Sequence, residues 1–307
     1  MRIAITGAGG YVGAALVDAL AASAAHDVLA VTRPGGTALA FPPGVTHKAA
    51  DLADRDATAN ALRSSGTEAI VHAAAAIFST DDPDSVAKGY RDNVEGTASL
   101  LNAASEAGVS GLVLLSSISV YGSAPLRTEA GFQEDDPVDP VGEYGRQKAE
   151  AERLALDWQK AEPGRHLIIL RLAGVHGGRR QAGAVYRMIQ SAKAGKDIQV
   201  TEPNSTFSFL HVGDAVTAIR CALSALPDAG AFVLNVAGGE IIMLTELATT
   251  IIHTCGSRSK IVPGDGTARV SALAIDKARE AIGFSPTPIA DWIAKECRTG
   301  SASEDRP

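Results

Sequence analysis

The sequence predicts an α/β protein: a doubly wound parallel sheet followed by a smaller C-terminal α/β unit. Three observations carry this. Short, continuously apolar runs alternate with helical patterns from the first residue. The connections between runs are about 10 to 20 residues long, enough for a helical crossover and too long for hairpins. A glycine-rich turn separates the first run from the first helix, and the alternation fades after Gly177.

The elements follow in order. RIAIT reads as a strand, YVGAALVDALAASA as a helix and HDVLAVT as a second strand. After the Pro/Gly loop PGGTALAFPPG come a short strand, VTHKAA, a helix, DRDATANALRSSG, and a strand, EAIVHAAA. SVAKGYRDNVEGTASLLNAASEAG reads as one long helix, GLVLLSS as a strand, EYGRQKAEAERL as the start of a helix from about residue 143, and HLIILRL as a sixth strand. Strands this apolar must be covered on both faces, which implies helices on each side of a parallel sheet. Beyond them lie a basic glycine loop, GGRRQAG, a helix through MIQSAKAG, and strand fragments around FSFLHV and FVLNVAGG. The domain expectation is 1–175 for the sheet, with segments near 205–240 returning to it, 176–298 for a substrate-binding unit, and a disordered polar tail at 299–307.

The 307 residues are 46% hydrophobic and 21% charged, with a net charge of −7. An acidic chain lacks the basic face that binding along a nucleic acid requires, so small-molecule partners are expected. Cys221, Cys255 and Cys297 are odd in number and form no C-x-x-C pair, which suggests neither a disulfide framework nor a zinc site, and implies a reducing compartment. No apolar stretch is of membrane-spanning length, and the N-terminal run is too short for a signal peptide, so a cytoplasmic protein without membrane or metal is expected.

TGAGGYVG, residues 6–13, stands where the first strand turns into the first helix. Glycines at 7, 10 and 13 have the spacing of a dinucleotide loop: a tight turn, a close approach to pyrophosphate, and a close helix–strand packing. At the end of the second strand, where an acid would accept from the ribose of NAD, the chain has Thr32 and Arg33. Arg33 clasping a 2′-phosphate would be worth roughly 1.5–3 kcal/mol, so NADP is preferred and NAD possible. A solvated loop arginine is the plainer reading. Asp51 with Leu52 is placed to meet the adenine, and helix capping by Asp51 or Asp54 is an equal alternative.

The fifth strand runs into SSISVYGS, and strand ends on this side of a parallel sheet are where such folds bind ligands. Tyr144 and Lys148 follow at i and i+4, on one face of a helix with Cβ atoms about 5–6 Å apart. A phenol of pKa about 10 needs a shift of about 3 units, roughly 4 kcal/mol, to serve as a base near neutrality. One ammonium about 4 Å away in an effective dielectric of about 20 supplies that order of energy. Ser117 would bond the substrate oxygen while Tyr144 carries its proton.

The ordered motifs TGAGGYVG, DL at 51–52, HAAA at 72–75, NVEGT at 93–97, SSISVYG at 116–122, YGRQK at 144–148 and LRLAGVHG at 170–177 resemble the extended short-chain dehydrogenases/reductases of the NAD-dependent epimerase/dehydratase family. FLHVGDAV at 209–216 and VLNVAGG at 233–239 extend the resemblance along nearly the whole chain. It implies a Rossmann core, a catalytic trio of Ser117, Tyr144 and Lys148 with Asn93 in support, and a homodimer. The implied dinucleotide contacts are Thr6, Gly7, Gly10, Tyr11, Val12, Gly13, Arg33, Asp51, Leu52, Ala73, Ala74, Ala75, Tyr144 and Lys148. Ser119, Tyr121, His176 and Arg179 are substrate candidates. Departures from the pattern matter: Ile118 and Ser119 stand where 4,6-dehydratases carry an Asp-Glu pair, and Val262 precedes Pro-Gly-Asp where many sugar-nucleotide enzymes have Arg. Leu172 and His176 replace the usual Pro and Tyr of the LRPxxVYG pattern.

The function these features imply is hydride transfer between a nicotinamide cofactor and a secondary alcohol or ketone of a small polyhydroxylated or natural-product molecule. A nucleotide-sugar 4-epimerase with tightly held dinucleotide is the alternative. A dinucleotide-sensing module without chemistry is the third reading, and the intact Tyr and Lys weigh against it.

Overall fold

The computed structural model describes residues 1–23, 25–35, 40–122, 131–226 and 230–299; the expected tail beyond Thr299 lies outside the described residues. The chain divides into two compact units. One takes residues 1–125, 134–171 and 218–234, the other 126–133, 172–217 and 235–307, each as far as described.

In chain order the first unit builds β1 (Arg2–Thr6), α1 (Tyr11–Ser23), β2 (Asp27–Thr32), β3 (Thr46–Ala49), α2 (Arg55–Ser65) and β4 (Ala69–His72). Then come α3 (Pro83–Tyr90), a π turn (Arg91–Glu95), α4 (Gly96–Glu106), β5 (Gly111–Ser117), a 3-10 turn (Ile118–Val120), α5 (Glu143–Ala161) and β6 (His166–Leu172). The remaining elements are β7 (Val175–His176), α6 (Ala184–Lys193), β8 (Ile198–Val200), β9 (Thr206–Phe207), β10 (Leu210–His211) and α7 (Val212–Ala225). They continue with β11 (Ala231–Val236), β12 (Ile242–Met243), α8 (Leu244–Thr254), β13 (Ile261–Pro263), β14 (Val270–Ser271), α9 (Asp276–Ile282) and α10 (Ile289–Thr299).

The main sheet has seven strands in the order β11-β6-β5-β4-β1-β2-β3. β1 pairs in parallel with β2 and β4, β2 with β3, and β4 with β5. The six early apolar runs all enter it, and the fragment FVLNV supplies the seventh strand at its edge. Strand side chains Ala4, Leu29, Ile70, Leu112, Leu114, Leu167 and Ile169 form one core with Leu62, Leu100, Leu101 and Trp158 from the helices. Each of these leucines and isoleucines, fully buried, contributes about 1.5–3 kcal/mol of hydrophobic free energy. Asp54 caps α2 by accepting from Ala57 N at 3.0 Å, which decides between the two capping candidates and leaves Asp51 free for other partners.

The long helix expected over 85–108 is not one continuous helix. α3 and α4 are joined by the π turn, in which Gly96 N bonds back to Arg91 O, five residues earlier. The wider turn changes which side chains point inward, and such turns are frequent at functional sites.

The second unit has its own core, in which Val185, Met188 and Ile189 of α6 pack with Leu247 and Ile251 of α8 and Ile293 of α10. Here the cysteine expectation fails: Cys255 and Cys297 are joined in a disulfide, with Cα atoms 5.6 Å apart, and Cys221 is free. The pairing follows from the packing of α8 against α10, which residue spacing does not reveal, and it removes the argument for a reducing compartment. No described helix is long and apolar enough to cross a membrane.

Candidate active site

The glycine loop is held by close contacts that admit no side chain. Gly7 has φ 69°, and a Cβ there would lie 2.6 Å from Ala74; a Cβ on Gly13 would lie 2.1 Å from Gly7 O. The loop opens onto a cavity of about 440 Å³ in the first unit, within the usual range for ligand sites. Gly7, Gly9, Gly10, Arg33, Asp51, Leu52, Ala74 and Ala75 line it, together with Val31, Thr32, Ala50, Ala53, Ala76, Arg91, Asp92 and Gly96.

Of the expected dinucleotide contacts, Thr6 has its side chain engaged within the protein. It is fully buried beneath the loop, and its hydroxyl bonds His72 Nδ1 at 2.7 Å. His72 Nε2 in turn lies 2.9 Å from Thr97 Oγ1, whose proton goes to Asn93 O at 2.6 Å. Since Thr97 has spent its only proton, His72 donates from Nε2 and accepts Thr6's proton at Nδ1. Burial, then the Lys148 charge, lowers the His72 pKa to about 3, so the imidazole is neutral and serves as a strut. Tyr11, Val12, Gly13 and Ala73 do not line the cavity; Gly13 packs the loop, and Ala73 N bonds Thr6 O.

The cavity wall carries four charges that sequence reading treated separately or missed. Arg33 pairs with Asp92 at 2.8 Å, Arg91 with Asp51 at 2.7 Å, and Arg91 also reaches Asp92 at 3.3 Å. The Arg91 hydrogen bond lowers the Asp51 pKa. Arg33 is therefore engaged, rather than a free guanidinium at the end of β2. Arg91 and Asp92 lie in what read as one long helix.

Ser117 ends β5, and its Oγ accepts from Ser119 N at 3.2 Å and lies 3.1 Å from Ser119 Oγ. Tyr144 and Lys148 occupy the first turns of α5. A Cβ on Gly145 would come within 2.4 Å of Ser119 O, so this glycine lets the start of α5 sit directly against the turn that follows Ser117. Lys148 is 4% exposed, and its burial, opposed by Glu152, brings its pKa down to about 8; burial pushes the Tyr144 phenol up. Asn93, expected in support of the trio, is 3% exposed. Its side chain brackets Ala76, accepting from Ala76 N at 2.6 Å and donating to Ala76 O at 3.0 Å, and faces the Gln147 amide at 2.8 Å.

Behind Lys148 lies a buried charged network. Arg171 makes a two-pronged contact with Glu152, with its closest approach at 2.8 Å, and donates to Tyr121 Oη at 2.9 Å, while Ser116 donates to Glu152 at 2.5 Å. Tyr121, one of the substrate candidates, is fully buried in this network. His176, in the second unit, is also covered: it packs edge-on against Phe209 and His211, and burial lowers its pKa to about 4. Ser119 and Arg179 are exposed. Among the described residues, no His, Cys, Asp and Glu cluster is placed to hold a metal.

Comparison with known proteins identifies the family. The model of the NAD dependent epimerase/dehydratase family matches residues 3–237. The UDP-glucose 4-epimerase of Mycolicibacterium smegmatis is 32% identical, over 96% of this chain and 97% of its own length. The 3-diazoavenalumate denitrifying reductase of a Streptomyces species is 29% identical, over 94% of this chain and 96% of its own. Among solved structures, MoeE5 in complex with UDP-glucose and NAD is 27% identical and superposes with a TM-score of 0.83, over 99% of this chain and 100% of its own. The chain belongs to the NAD-dependent epimerase/dehydratase family, enzymes of the extended short-chain dehydrogenase/reductase type.

Proposed function

We propose that the protein is an NAD-dependent nucleotide-sugar 4-epimerase. The observation that carries the chemistry is Tyr144 and Lys148 on one face of α5, with Ser117 at the end of β5, in the unit that holds the dinucleotide-sized cavity. The close-packed glycine loop and the apolar Leu52 and alanines of the wall fit an adenine dinucleotide. When bound, that group supplies the hydride acceptor and donor. Tyr144 takes the proton of the sugar hydroxyl and later returns it, the Lys148 ammonium favours the phenolate, and Ser117 bonds the reacting oxygen. The second unit carries a groove of its own of about 470 Å³, lined in part by Arg187, Gln199 and Arg269.

The epimerase reading displaces net reduction as the main one because relatives matched along nearly their full length are nucleotide-sugar epimerases. NAD is adopted because the NADP argument required a free Arg33 and because MoeE5 is described with NAD. Net reduction stays as the second reading, favoured by the likeness to the denitrifying reductase. The test is incubation of the purified enzyme with UDP-glucose, without added cofactor. Conversion to the 4-epimer supports the epimerase; no conversion, together with stoichiometric use of added dinucleotide on a ketone, supports the reductase.

A further inference from the structure

The dinucleotide reading of the cavity leaves its adenosine end without the acid usually found at the end of the second strand. β2 ends at Thr32, whose hydroxyl is already bonded to His47 Nε2 at 2.8 Å, and Arg33 follows. A carboxylate reaches the same wall from another element. Asp92, in the π turn, lines the cavity beside Arg33, and its side chain is only 5% exposed. Its Oδ2 lies 2.8 Å from Arg33 Nη2 yet makes no aligned hydrogen bond, so a buried acceptor remains open toward a donor. An ionised acceptor in this state gains strongly from an O–H partner.

Charge balance argues in the same direction. Two arginines, Arg33 and Arg91, face two carboxylates, Asp92 and Asp51, and Arg91 is already shared between both acids. A 2′-phosphate would bring about two more negative charges to this wall. To bind it, Arg33 would have to leave Asp92, whose buried charge would then depend on Arg91 alone. A ribose hydroxyl asks for no such exchange: it donates to Asp92 while Arg33 stays in place.

Resting on the dinucleotide reading, we propose that Asp92 selects the cofactor: its carboxylate accepts from the adenosine 2′-hydroxyl of NAD, and Arg33 is its counter-ion rather than a clasp for the 2′-phosphate of NADP. The acid missing from β2 is thus supplied by the π turn, whose extra residue sets Asp92 toward the cavity and Asn93 toward Ala76.

The test is calorimetric titration of dinucleotide-stripped protein with NAD, NADP and 2′-deoxyadenosine NAD. The wild type is expected to bind NAD about 10-fold or more tighter than either of the other two. In Asp92→Asn the advantage of NAD over the deoxy analogue shrinks to about 2-fold or less. Equal wild-type affinity for NAD and the deoxy analogue, or tighter binding of NADP, overturns the assignment even if the variant does not fold. An equal loss for NAD and the analogue in a folded Asp92→Asn marks a purely structural carboxylate and overturns it as well. Failure of all three to bind the wild type overturns the dinucleotide reading itself.

Discussion

Tyr144 gains its proposed role from neighbours that are far away in sequence. With its oxygen removed, Tyr144→Phe should lower turnover about 100-fold or more while leaving NAD affinity within about 2-fold, as rapid kinetics and titration would measure. Lys148 makes a pH prediction. Its buried ammonium has a pKa near 8, against an ordinary 10.5, so the cation is present below that pH and lost as pH rises through it. Because the cation favours the phenolate, kcat/KM should fall above about pH 8, and Lys148→Arg, which stays charged, should move that limb upward. Arg33→Ala distinguishes two roles. As the partner of Asp92, its loss weakens NAD about as much as NADP or more; a clasp on the 2′-phosphate would make the loss selective for NADP. At this scale the glycine loop and the Tyr144–Lys148 pair could be proposed from the sequence because each is a local spacing, whereas Ser117 needed the order of the motifs. The burial of Thr6 and Tyr121 was not legible, because it depends on His72 and Arg171, partners that only the folded chain brings close.

Among the elements, strands and helices followed apolar periodicity closely, and the exceptions have physical causes. The π turn was invisible because the i+5 bond from Gly96 to Arg91 adds one residue to a turn without changing the helical composition around it. β11 read only as a fragment, since its place at the sheet edge is set by pairing with β6, not by its own sequence. The disulfide fastens the end of α8 to α10 across 42 residues, and closing a loop of that length is worth about 4 kcal/mol in the chain-entropy account. Cys255→Ser should therefore lower the denaturant-derived stability of the second unit by about 2–4 kcal/mol, while NAD binding to the first unit stays unchanged. A loss of NAD affinity in that variant would show that the two units are energetically coupled.

For the molecule as a whole, the acidic charge and even composition pointed to a small-molecule enzyme, and the motifs in series pointed to its family. The substrate was not legible, because the stretch from His176 onward follows no periodic rule, and His176 itself is buried in packing. The central claim is that hydride leaves and returns to the same sugar on one enzyme. The most direct measurement adds UDP-glucose labelled with deuterium at C4 to the purified enzyme without free dinucleotide and follows the label by mass spectrometry and NMR. The account predicts UDP-galactose that retains the deuterium at C4. An epimer that has lost the label from C4, or no epimer at all, would contradict it.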